Sequence, residues 1–192
     1  MKVKRECVGL MAIIFILTCL FVSPAFSLSK KEKMRKEIRI MVQNTLSKLY
    51  RFQPQAKDVL RKAAGYAVFS NFGMKIFLLG GGKGEGLAHN NRTGQDVFMK
   101  MVEIQGGLGL GIKKFSLVWV FQKEKDFNEF IDTGLELSAQ YTAAAKDGKA
   151  GDALAGAITI RPGVWLYQLT EKGLALELTA KGTKYYKDSD LN

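Results

Sequence analysis

Residues 80–86 read Gly80-Gly81-Gly82-Lys83-Gly84-Glu85-Gly86, and 106–111 read Gly106-Gly107-Leu108-Gly109-Leu110-Gly111. Glycine returns at every second position, at 80, 82, 84 and 86 and again at 107, 109 and 111. A period of two is that of a β-strand, whose side chains alternate between faces, so each array bares one face of a strand. Neither spacing makes a phosphate cradle. A P-loop needs Ser or Thr after its lysine, whereas Lys83 precedes Gly84, and a dinucleotide fingerprint must open a helix, for which no apolar periodicity follows. Bare strand faces first suggest tight curvature or close sheet packing, with an apolar groove for an acyl chain as the alternative.

Strand-like runs surround the arrays: Tyr66–Phe69, Lys75–Leu79, Val97–Val102, Phe115–Phe121, Val164–Leu169 and Leu174–Thr179. Turn residues separate them at Asn90-Asn91-Arg92-Thr93-Gly94 and Glu171-Lys172-Gly173, and Lys146–Asp152 is a loop of small residues. Lys123–Thr133 has helical spacing, with Phe127, Phe130 and Ile131 on one face. Trp165, Tyr167, Tyr185 and Tyr186 suit a membrane interface by their polar tips, and suit packed strands equally well.

The N-terminal side differs in period and in charge. Over Ser29–Tyr50, apolar residues at Met34, Ile38, Met41, Val42, Leu46 and Leu49 predict an amphipathic helix. Lys33 and Lys36 lie opposite that stripe and Arg39 at its flank, while Lys31 and Arg35 fall inside the apolar arc. Pro54 interrupts, and Gln55–Ala64 predicts a second, shorter helix. The expected fold class is therefore α+β: basic amphipathic helices packed on a curled, glycine-rich antiparallel sheet, as a barrel or a sandwich.

Lys2, Lys4 and Arg5 precede an apolar run from Val8 to Val22 and then Ser23-Pro24-Ala25-Phe26-Ser27. This order is that of a secretory signal peptide over 1–27, too short for the roughly 20 residues of a spanning helix, with an uncleaved anchor as the alternative. The remaining 28–192 reads as one domain, a basic helical arm over 28–64 and a β-rich body over 65–192. Both cysteines, Cys7 and Cys19, belong to the leader, so the processed chain has no thiol for a disulfide, a metal or catalysis. The expected location is periplasmic or secreted, with peripheral membrane association.

The full chain carries a formal +11. Residues 28–64 hold eleven Lys and Arg against three acidic residues, whereas 65–192 is nearly balanced at fifteen against fourteen. A basic arm on a nearly neutral body is suited to an anionic surface. His89 is the one histidine and reads as a turn residue; no zinc set, calcium loop or serine-nucleophile motif is present in the sequence, and no cofactor is expected. The expectation is a protein that is not an enzyme. No nucleic-acid motif accompanies the charge, and the leader argues against such a partner.

Ala64-Gly65-Tyr66-Ala67-Val68-Phe69, the two glycine arrays, Lys113-Lys114-Phe115 and Ala155-Gly156-Ala157 recur in order with Pro162-Gly163-Val164-Trp165-Leu166-Tyr167-Gln168-Leu169-Thr170. Gly173-Leu174-Ala175-Leu176 and Gly182-Thr183-Lys184-Tyr185-Tyr186-Lys187-Asp188 close the series. This succession resembles the SYLF lipid-binding domain family in its exported bacterial branch, over about the last two-thirds of the chain. The resemblance implies a phospholipid-binding module. Eukaryotic relatives carry a Trp-x-x-Pro motif where this chain has Gly94-Gln95-Asp96-Val97-Phe98, so phosphoinositide specificity and actin binding are not carried over.

The expected partner is thus an anionic phospholipid membrane at the bacterial envelope, with protein partners left open. Headgroup contacts are expected from Lys30, Lys31, Lys33, Lys36 and Arg39 on the arm and from Lys83, Lys113 and Lys114 beside the glycine arrays. The alternative is an envelope structural or interaction module that binds an acidic protein or an anionic cell-wall polymer. The arm itself also admits a plainer role, its apolar face on its own sheet and its basic face solvated.

Overall fold

The computed structural model describes residues 29–70, 81–104, 115–137, 154–175 and 183–192. Two helices open the fold, α1 (Lys30–Phe52) and α2 (Ala56–Lys62), with Pro54 in the turn between them. Four strands follow: β1 (Gly65–Ser70), β2 (Gly81–Asn90), β3 (Asp96–Ile104) and β4 (Phe115–Phe121). Then come α3 (Glu124–Thr133), β5 (Leu135–Leu137), β6 (Ile158–Arg161), β7 (Val164–Thr170), β8 (Gly173–Ala175) and β9 (Thr183–Lys187).

All pairings are antiparallel, in the order β5-β9-β3-β2-β1-β4-β7-β6, with β8 beside the second half of β7. The α+β class is as expected. Among the described residues the strand path has two ends, so the sheet is a curled half-barrel, neither closed on itself nor faced by a second sheet. Helices cover it instead. The apolar strands have two faces to bury, and α1 and α2 take one while α3 takes the other.

β4 shows the division. Phe115, Leu117, Trp119 and Phe121 join the core under α3, while Val118 and Val120 join the core under α1 and α2. A strand buried on both faces reads as an unbroken apolar run, which is why β4 and β7 lack the polar alternation of a surface strand. The α3 core is aromatic: Phe130 lies 4.9 Å from Phe121 and 5.6 Å from Tyr185, centroid to centroid. The opposite core receives Ile38, Met41, Val42 and Leu49 from α1, together with Trp165 and Tyr167 of β7. Trp165, Tyr167 and Tyr185 are thus packed strand residues, and only Tyr186 of the four candidate interface aromatics is exposed.

The first glycine array is explained by close packing. Gly84 and Gly86 sit opposite Met101 and Phe69 in the ladder, on the α3 side of β2. A Cβ at Gly84 would stand 2.7 Å from Met101 Cε, and one at Gly86 would overlap the Phe69 ring and the Val68 carbonyl. The vacated space is therefore filled by neighbouring side chains and offers no groove there. The second array and the expected strand Lys75–Leu79 lie outside the described residues, as does the loop Lys146–Asp152.

After β9 the chain folds back along β3. Asp188 N–H donates to the Phe98 carbonyl (2.9 Å), and Phe98 N–H donates to Asn192 Oδ1 (2.9 Å). Leu191 is buried in the α1-side core. Asp188 is 2% exposed and pairs with Lys100 Nζ at 2.9 Å; Asp190 reaches the same ammonium at 3.2 Å. The hydrogen bond to Asp188, ahead of burial acting the other way, raises the Lys100 pKa.

Gly86→Ala should lower stability by about 1–3 kcal/mol through overpacking, read as a reduced urea midpoint at unchanged slope. Lys100→Met leaves the Asp188 carboxylate buried without its cation. It should cost about 2 kcal/mol, below the figure for fully buried pairs because the Lys100 side chain is about one-third exposed. Because the folded pKa of Lys100 is raised, this contribution is complete below the usual lysine range and disappears as pH rises through the folded value. The difference between wild type and Lys100→Met should therefore hold from neutral pH to pH ~9 and shrink above it.

Candidate functional site: a basic helix face and its adjoining cleft

α1 carries eight basic residues and two acidic ones. Its packing on the sheet sorts them. Lys30, Lys31, Lys33 and Lys36 are exposed, and among the described residues none of the four meets a carboxylate. Lys48, by contrast, is half-buried and donates to the Thr170 carbonyl at 2.8 Å, at the far end of the sheet. Lys83 is exposed on β2, on the sheet face that carries Leu87 toward α1. Lys113 and Lys114 lie outside the described residues. Two positions along from Lys83, the Glu85 carboxyl is pushed up chiefly by burial, then by Asp188 and by Glu37 of α1, with Lys100 opposing.

Arg39 separates from the exposed lysines. Together with Arg35 it borders an open cleft of about 360 Å3 between α1, the start of β3 and the C-terminal tail. Asp96, Phe98, Lys187 and Asn192 are among its other lining residues. Phe98 forms the floor: the guanidinium carbons of Arg35 and Arg39 lie 5.9 Å and 5.1 Å from its ring centroid. Each arginine is pinned through Nε, Arg35 donating to the Leu191 carbonyl at 2.8 Å and Arg39 to Asp96 Oδ2 at 3.1 Å.

Asp96 is shared. Its Oδ1 lies 2.8 Å from His89 Nδ1, across the β2–β3 ladder, where His89 and Asp96 are register partners. His89 in turn tilts against Tyr66, at 5.2 Å between centroids. Burial first, then the charges of Tyr50 and Asp96, pushes the Tyr66 phenol up to about 12, so it stays neutral at physiological pH. His89 is therefore more than a turn residue, because it holds one oxygen of the carboxylate that holds Arg39.

No family model matches the chain. It is 34% identical over 163 residues to "Beta cell expansion factor A" of Aeromonas veronii. The match covers 83% of this chain but 60% of that protein, so the chain spans less than two-thirds of its relative's length. The relative's name mentions no ligand. Among the described residues, no helix is long and apolar enough to cross a membrane.

Sequence reasoning placed Arg39 among the anion contacts and missed Arg35 and Lys187. Arg35 did leave a signal, since it falls inside the apolar arc of the helix, but Lys31 falls there too and is exposed near the helix start, so the position alone did not decide. Lys187 left none, because its place in the cleft depends on the β3–β9 pairing. Phe98→Leu keeps an apolar floor but removes the ring beneath both guanidiniums. It should destabilise the fold by about 2 kcal/mol in urea unfolding, from lost cation–π contact and reduced packing.

Proposed function

We propose that the protein is a non-enzymatic phospholipid-binding module acting at the bacterial envelope membrane surface. The observation that carries this reading is the group Lys30, Lys31, Lys33 and Lys36 in the first turns of α1, exposed and, among the described residues, without carboxylate partners, on a helix whose apolar stripe is packed on its own sheet. Such a helix meets a bilayer with its cationic side, by docking rather than by inserting its buried stripe. Each cation close to an anionic surface is worth about 1 kcal/mol, so the group supplies roughly 4 kcal/mol before screening. That is salt-sensitive adsorption, which further contacts must strengthen for stable attachment. The resemblance to SYLF domains, and the secretory leader expected over 1–27, support the same ligand class and location.

Co-sedimentation with vesicles tests this. Binding is expected to phosphatidylglycerol-containing vesicles and not to pure phosphatidylcholine, falling strongly between about 0.05 M and 0.5 M salt. The combined substitution Lys30→Gln, Lys31→Gln, Lys33→Gln and Lys36→Gln should weaken binding by tenfold or more, on the order of 1 kcal/mol per charge less screening. If the protein ignores anionic vesicles, the reading fails, and an acidic protein partner or an anionic cell-wall polymer takes its place.

A further inference from the structure

Three cationic side chains, Arg35, Arg39 and Lys187, border the cleft beside α1, against one acidic side chain, Asp96, among its described lining residues. The other nearby acids are engaged elsewhere, since Asp188 and Asp190 both bind Lys100. Like charges do not gather at one opening without cost, and here the arginines are held in place by contacts that use only their Nε atoms. Among the described residues, the Nη ends of both guanidiniums have no hydrogen-bond partner, and Lys187 meets no carboxylate. Two planar forks lie near one aromatic ring, pre-positioned, with three cationic side chains against one acidic side chain.

We infer that this cleft binds a phosphomonoester, with Arg35 and Arg39 donating through their Nη groups and Lys187 supplying a third cation. Arginine forks match the paired oxygens of a phosphate, and fixing them beforehand reduces the ordering cost of binding. A phosphomonoester presents three terminal oxygens and about −1.5 to −2 of charge to these three cations, where a diester presents two free oxygens and a single charge. The volume lies within the about 300–1,000 Å3 of small-ligand clefts, enough for a phosphate and the glycerol or similar group attached to it.

The chemistry has two sources, the headgroup of a phosphatidic-acid-type lipid or a soluble phosphomonoester. The first deepens the membrane-surface reading and rests on it for the identity of the natural ligand, whereas the site itself does not. Calorimetric titration of the purified protein, without bilayers, separates the cases with three probes: glycerol 3-phosphate, dihexanoyl phosphatidic acid and dihexanoyl phosphatidylglycerol. Saturable binding of both monoesters is expected, with the diester weaker by about tenfold or more, as the loss of one charge-assisted contact implies. A clear preference for the lipid monoester over glycerol 3-phosphate identifies a lipid headgroup, and equal affinities identify a soluble ligand.

Arg39→Gln and Lys187→Gln should each weaken monoester binding by about tenfold. Among the described residues the Lys187 side chain makes no hydrogen bond or ion pair, so Lys187→Gln removes no such contact from the fold, and Arg39→Lys should bind between wild type and Arg39→Gln because it keeps charge without the fork. The four-lysine α1 variant should lose vesicle binding and retain glycerol 3-phosphate. Equal binding of monoester and diester, or monoester binding indifferent to Arg39→Gln and Lys187→Gln, overturns the inference even where vesicles are still bound. Vesicle binding that fails while the cleft titrates as described overturns only the membrane reading.

Discussion

β4 is apolar on both sides, and the rest of the molecule is arranged to keep water from either. Leu117, Trp119 and Phe121 require α3, while Val118 and Val120 require α1 and α2. Burying a large apolar side chain contributes about 1.5–3 kcal/mol, and α1 commits four of them, Ile38, Met41, Val42 and Leu49, besides shielding the strands beneath. Lifting α1 away would expose both partners of that contact at once. The helix is a lid on the sheet before it is anything else.

That requirement decides what the surface can offer. Because the apolar stripe of α1 faces inward, Lys33 and Lys36 lie on its outward side, and Lys30 and Lys31 are exposed at the helix start. Because Arg35 lies within the stripe, it is drawn under the helix to the Leu191 carbonyl and over Phe98. The C-terminal tail completes the arrangement: Asn192 and Asp188 satisfy the backbone of Phe98, and the Lys100–Asp188 pair anchors the segment that forms one wall of the cleft. The packing that stabilises the sheet also sets two guanidiniums side by side.

Much of the fold was legible where burial is two-sided or periodicity is long. β4 falls on Phe115–Phe121 as its apolar run predicts, and α3 buries Phe127, Phe130 and Ile131 as its spacing predicts. The glycine period of two correctly marks β2, and the space it opens is occupied by Phe69 and Met101. β5, β6 and β9 were not legible. They are three to five residues long, and β9 alternates so that only Thr183 and Tyr185 turn inward, leaving Lys184, Tyr186 and Lys187 to make the segment look like surface loop.

The amino-acid order by itself determined the charge asymmetry, the amphipathic period of α1 and the alternation that makes β2 a strand. These are local properties, carried by neighbours along the chain. The cleft was decided only by tertiary structure. Arg35 and Leu191 are 156 positions apart, and Arg39 and Asp96 are 57 apart. Sequence spacing cannot report which distant segments share a sheet edge, because strand order depends on the combined burial of all the strands rather than on any one of them.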